Sequence, residues 1–210
     1  MSEGAELNME SGTQAARARA TPTIVAVFTA AAFLAGCAAI VPPRPNAIFD
    51  LTAPGKISAA SRGAAQVLVP EPTTVRALDT ERIAARPASA EYAYLPGAVW
   101  SDSLPNLLQA RLLQTLQNSG RVRAASVPGQ GLRIDYQLVL DVRAFELTDK
   151  GAVAEFGVKL MDDRNGQVIR SKVVRHVVPV ARSDAATVVA GLDQAMDATF
   201  LEITRWAFPG

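Results

Sequence analysis

Hydrophobic and polar positions alternate most regularly along 132–143. Leu132, Ile134, Tyr136, Leu138, Leu140 and Val142 are interleaved with Arg133, Asp135, Gln137, Asp141 and Arg143, and Val139 is the one departure. A period of two describes a strand with one buried face. Asp149-Lys150-Gly151 can turn the chain into a second strand with Ala154, Phe156, Val158 and Leu160 on one face. Arg164-Asn165-Gly166 turns it into a third, Gln167 to Val180, with Asn-Gly as a hairpin signal. Two segments carry the helical period instead. In Ser101 to Asn118, Leu104, Leu107, Leu108, Leu112 and Leu116 recur at helical spacing. Ser101, Asp102 and Ser103 stand where a first turn needs acceptors, Pro105 falls where its missing N–H does little harm, and Gly120 suits the stop. Ser183-Asp184 caps a second helix whose inner side is Val188, Leu192, Ala195, Met196, Thr199, Ile203 and Trp206. Shorter extended pieces are expected at Ala47–Leu51, Ala65–Val69, Arg82–Ala85 and Tyr92–Leu95. A turn or one helical turn is expected at Val75–Thr80, and a loop around Thr52–Ser61. The order strands, helix, three-strand meander, helix predicts an α+β fold: a two-layer sandwich, mostly antiparallel, with two amphipathic helices on one face of the sheet.

The N-terminal pattern is of another kind. Thr23 to Leu34 form an apolar run too short for a bilayer, which needs about 20 such residues. It is flanked by Arg17 and Arg19 and ends in small residues, as in a secretory signal peptide. Leu34-Ala35-Gly36-Cys37 resembles the bacterial lipobox. That resemblance implies cleavage after residue 36, diacylglycerol on the Cys37 thiol and an acyl chain, typically palmitate, on the new amine. Two or more chains anchor stably where one holds only marginally. Ala38 after the cysteine favours the outer membrane under the enterobacterial sorting rule. Glu3, Glu6 and Glu10 are unusual before a signal peptide, so Met9 competes with Met1 as the start. Residues 37–46 then form a proline-rich tether, which at about 3.1 Å per residue spans on the order of 30 Å, and the domain occupies 47–210.

Composition narrows the function. The chain is 49% hydrophobic and 20% charged with a formal net charge of +1. No basic stripe of the kind nucleic acid demands is present. With Cys37 used for lipid, the domain has no disulfide. His176 is the single histidine, no phosphate-cradling glycine loop occurs, and no metal-ligand spacing is found, so no catalytic or metal-binding residues are expected. His176 is expected as a solvent-facing or locally bonded strand residue. Asp162 and Asp163 are expected as turn residues rather than a carboxylate pair. Tyr92, Tyr94 and Trp100 are the candidate partner-binding group, set against packing beneath the first helix, which is the default reading. The leucine row of that helix is expected in the core, with a lipid groove as its alternative.

Several short segments, in order along the mature chain, carry a wider resemblance. They are Phe49-Asp50-Leu51; Leu68-Val69-Pro70; Leu78 to Arg86; Tyr92 to Leu95 leading into Trp100-Ser101-Asp102-Ser103-Leu104-Pro105; Leu138 to Glu146; and Trp206. Together they resemble the ABC-type transport auxiliary lipoproteins, the group that includes paraquat-inducible protein C. Phe49 stands where that family usually has tyrosine, and Ala84-Ala85 where it has bulkier residues. The resemblance implies a non-enzymatic accessory of an intermembrane lipid transporter, without cofactor. Its partners would be a mammalian-cell-entry (Mce) substrate-binding protein and ABC permease and ATPase components. A tethered periplasmic lipid carrier is the alternative, and an outer-membrane assembly lipoprotein with a β-barrel partner is a weaker third.

Overall fold

The structure is a computed structural model that describes residues 47–55, 63–88 and 91–209. The expected signal peptide, Cys37 and the tether lie outside the described residues, as does most of the loop expected around Thr52–Ser61.

The three-strand meander is its centre. β7 (Tyr136–Thr148), β8 (Gly151–Asp162) and β9 (Val168–Val178) pair antiparallel in sequence, and β9 is an edge. The other side of β7 receives three short segments in parallel: β2 (Gln66–Leu68), β3 (Thr73–Thr74) and β4 (Arg82–Ala88). β5 (Glu91–Trp100) folds back antiparallel on β4, β1 (Ala47–Phe49) lies parallel to the end of β5, and β6 (Ala124–Ser126) lies parallel to β2. The result is one mixed nine-stranded sheet. Its antiparallel ladders are the long ones, and each parallel pairing spans only two or three residues.

Helix α1 (Leu104–Ser119) and helix α2 (Ala185–Ala207) cover one face of this sheet. Leu104, Leu107, Leu108, Leu112 and Leu116 are all buried, so the leucine row packs into the core and lines no groove. Ser103 occupies the N-cap position of α1 without a side-chain bond. Asp102 instead accepts from the Ser103 amide at 2.6 Å and from Asn106 Nδ2 at 3.1 Å. Gly120 ends the helix at φ 65°, the left-handed conformation that glycine adopts freely. In α2, Asp184 caps the Thr187 amide, and the expected inner side is buried except for Trp206. Trp206 is half-buried at the rim, under the Arg170 guanidinium.

A tilted row of rings crosses the core. Trp100 meets Phe145 at 6.0 Å between centroids, Phe145 meets Phe156 at 6.3 Å, and Phe156 meets Phe200 at 5.4 Å, within the range where aromatic pairs attract beyond their area burial. The row joins β5, β7, β8 and α2.

The first described segment straps this unit together. Asp50 pairs with Arg111 of α1 at 2.7 Å, Thr52 gives its amide and its hydroxyl to Asp193 of α2, and Asn118 donates to the Pro54 carbonyl. Leu51, between them, is buried.

Two expectations change, and one open choice is resolved. Leu132 and Ile134 precede the sheet instead of belonging to it: β7 begins at Tyr136, after glycines at 129 and 131 with left-handed φ, and Leu132 is exposed. β3 and β6 are extra strands, too short to show a periodicity. Val75–Thr80 closes as an isolated turn, with the Leu78 and Asp79 amides both on the Val75 carbonyl.

Two expected outcomes follow from the core and the strap. Trp100 is 2% exposed, so Trp100→Ala should cost about 3–5 kcal/mol in equilibrium urea unfolding. Asp197 is the second: burial first, and then the Asp193 carboxylate one turn earlier, raise its pKa to about 6. The folded state therefore holds this proton more tightly than the unfolded chain does, and stability falls as pH rises from about 4 to about 6. Asp197→Asn should add about 1 kcal/mol at pH 7, after allowance for solvent screening, and nothing at pH 4.

Candidate functional site

The face of the sheet opposite α1 and α2, which carries no helix among the described residues, is the candidate, and one backbone irregularity arranges it. Val142 pairs with Phe156 and Ala144 with Glu155, so Arg143 is an extra residue in β7, a β-bulge. Side chains alternate across a strand, and an extra residue reverses which of them point inward. Before the bulge Leu138, Leu140 and Val142 face the helices. After it Phe145 does, and Glu146 turns to the opposite face.

Glu146 is nevertheless buried, at 2% exposure. Arg86 covers it: one η nitrogen donates to Oε2 at 3.1 Å, and Nε lies 2.9 Å from Oε1, near enough for ion pairing but off the hydrogen-bond axis. The same guanidinium donates to the Tyr92 hydroxyl at 2.6 Å and sits 4.6 Å from that ring's centroid. Burial pushes the Glu146 carboxyl above its ordinary value against the pull of Arg86, and burial also raises the Tyr92 phenol. Tyr94, two residues along β5, repeats the arrangement. Arg82 lies 3.5 Å over its ring, and its hydroxyl donates to the Ala77 carbonyl. Each tyrosine is thus a half-buried ring held flat under a guanidinium, a cation–π pair.

Of the sequence-predicted group, Tyr92 and Tyr94 come together on this face. Trp100 does not: it lies in the aromatic row on the helix side, so a contact surface here must be built without it. The 94–99 stretch explains the parting. Pro96 and Gly97 bulge out of β5, with Gly97 at φ 67°, and break the alternation between Tyr94 and Trp100. His176 faces the helix side, with Nε2 2.9 Å from Glu202 Oε2, and Lys172 shares that carboxylate. The hydrogen bonds from Lys172 and His176 hold Glu202 below its ordinary pKa. Asp162 and Asp163 serve the turn: Asp162 accepts from the Arg164 amide, and Asp163 from the Gln137 side chain at 2.7 Å. Arg86 and Glu146 were missed as a pair because their separation in sequence conceals a contact that only the bulge creates. Among the described residues, no three histidine, cysteine or acidic side chains gather as a metal would require.

The grooves of this face are open. One, of about 540 Å³, crosses β7, β8 and β9 around Gly157. Another, of about 420 Å³, is bordered by Arg86, Glu146, Lys150 and Arg175.

Arg86→Met should leave the Glu146 carboxylate buried without its cation. The expected cost is about 3–5 kcal/mol at pH 7 by urea unfolding. Because the unpaired acid's folded pKa rises further above its unfolded value, part of the loss should return as pH falls toward 5.

Comparison with known proteins agrees with this architecture. The model of a family described as the ABC-type transport auxiliary lipoprotein component matches residues 49–204. An uncharacterized protein of Bradyrhizobium diazoefficiens is 30% identical over 167 residues, 78% of this chain and 45% of that protein, so the chain spans about half the length of this curated relative. The crystal structure of protein XCC0632 from Xanthomonas campestris matches with a TM-score of 0.72 at 27% identity, covering 77% of this chain and 94% of that one. A further uncharacterized protein of known crystal structure matches in fold alone, with a TM-score of 0.61 at 17% identity over 76% of this chain and 96% of its own. With the family match running from β1 into α2, the chain belongs to the ABC-type transport auxiliary lipoprotein component family.

Proposed function

We propose that this lipoprotein is the tethered interaction component of an Mce-type intermembrane lipid transport system. Residues 1–36 are removed as a signal peptide, and acylated Cys37 holds the chain at the periplasmic face of the outer membrane. Residues 37–46 are the tether, and the domain 47–210 meets an Mce-family substrate-binding protein together with the ABC permease and ATPase components. The family match supports the transport role. What favours interaction over carriage is the packing. The space between sheet and helices is filled by the leucine row and the four rings, while the opposite face presents two tyrosines held flat by arginines. Rigid aromatic and arginine side chains are the residue types that carry most interface energy.

Affinity purification of the native lipoprotein from membranes in mild detergent, with mass spectrometry of proteins and lipids, tests this. Mce and ABC components should be recovered. Tyr92→Ala combined with Tyr94→Ala should lower their recovery about tenfold, the equivalent of about 1.4 kcal/mol, while the unfolding transition shows that the domain remains folded. Unchanged recovery would take the tyrosines out of the interface. A lone protein carrying stoichiometric phospholipid would support the tethered carrier instead.

A further inference from the structure

The groove around Gly157 has a construction the interaction role does not use. Asp141, Gly157 and Val173 are aligned across β7, β8 and β9, and strand alternation places all three on the helix-free face. Lys159 and Ser171 form part of the next row. Gly157 contributes no side chain to its own row, which leaves a notch. A Cβ there would meet Arg143 Nε at 3.0 Å and one η nitrogen at 3.2 Å, so the glycine lets the bulge arginine lie flat against the notch floor.

Arg143 has a single protein partner among the described residues, Asp141, 3.3 Å from Nε. Among the described residues neither η nitrogen has an acceptor. Lys159 makes no ion pair among the described residues, and the Ser171 hydroxyl no hydrogen bond, whereas the neighbouring Arg86 and Arg175 are committed to Glu146 and Glu155. A half-exposed guanidinium fork beside an ammonium group and a hydroxyl matches a tetrahedral anion, because a guanidinium can give two parallel N–H donors to phosphate. The groove's volume of about 540 Å³ is on the scale of small-ligand sites. Val173 at its rim is 46% exposed, an apolar surface beside the cations.

We infer that this groove binds an anionic phosphate group, as carried by a phospholipid headgroup or by free phosphate, with the Arg143 fork and Lys159 as its ligands. The lipid-transport role governs only the choice of lipid probe. Co-purification with transport components and phosphate binding are separate readouts, so either can fail alone.

The test uses the native lipoprotein in neutral detergent micelles, with native mass spectrometry following three probes: inorganic phosphate, dihexanoylphosphatidylglycerol and dihexanoylphosphatidylcholine. Saturable binding of the glycerol lipid is expected, weaker for the zwitterionic lipid. Arg143→Gln combined with Lys159→Gln should raise the half-saturating concentration at least tenfold, and Lys150→Gln, at another groove, should leave it unchanged. Gly157→Val, with its unfolding transition checked, should act as the double variant does by filling the notch. Inorganic phosphate binding as tightly as the lipid would assign the site to free phosphate. No saturable binding of either anionic probe, equal binding of the zwitterionic lipid, or an unaffected double variant would overturn the inference.

Discussion

The extra residue at Arg143 is the constraint on which the two faces of this sheet depend. With strict alternation through β7, Leu138, Leu140 and Val142 would be followed on the helix side by Ala144 and Glu146, and Phe145 would point to solvent. The bulge exchanges them. Phe145 then links Trp100 to Phe156, so the aromatic row spans β5 to α2 without a gap. Glu146 arrives on the other face, where it needs a cation, and Arg86 on the adjoining strand supplies one. The bulged side chain itself comes to rest on Gly157. Core, buried ion pair and open groove are three consequences of one inserted residue.

β7 is also the seam of the topology. One edge is occupied along its whole length by β8, while the other is shared by β2, β3 and β4 in chain order. Segments of two or three residues cannot hold a sheet edge by their own ladder, since short strands need packing on a face or side-chain support. Here the support is visible. Thr74 donates its hydroxyl to the Val142 carbonyl, Asp135 accepts from the Gln66 amide, and Val67, Ile83 and Leu78 are fully buried. The Asp50–Thr52 strap does the same for β1 by binding both helices, so the first described segment is fixed to the helix layer.

Much of this was legible before any coordinates. Both helices, their glycine and aspartate boundaries, the three-strand meander and the Asn-Gly turn are written in local periodicity, which is strongest in long segments buried on one face. The misses share a physical cause, namely information held by partners distant in sequence. β3 and β6 are too short for a period and exist because β7 and β2 offer free edges. Trp100 reads like its neighbours Tyr92 and Tyr94, yet the Pro96-Gly97 bulge sends it to the other side. Phe200 is the exception to that cause: it stands four residues after Met196 on the same face of α2, so helical spacing alone places it inside, where it closes the aromatic row. The Arg86–Glu146 pair and the Arg143 notch both follow from the bulge, and no composition rule announces a bulge that lacks a glycine.

The two faces divide the chemistry. Between sheet and helices the side chains are mostly apolar and interlocked, and Thr115, Ser119 and Thr199 turn their hydroxyls to carbonyls of their own helices, while those of Ser126 and Thr204 are buried without a partner. The opposite face carries arginines whose charge is individually assigned: Arg82 to the Tyr94 ring, Arg86 to Glu146 and Tyr92, Arg175 to Glu155. Holding cations against rings and carboxylates lowers the entropy a partner or ligand would otherwise have to remove on contact, which is the energetic meaning of a preorganised surface. A lipoprotein held at a membrane works at high local concentration of its neighbours, where such a surface need not bind tightly to be occupied. The combination of a closed, rigid helix side with an ordered, charged sheet side is therefore suited to docking on a larger assembly, and poorly suited to enclosing an acyl chain.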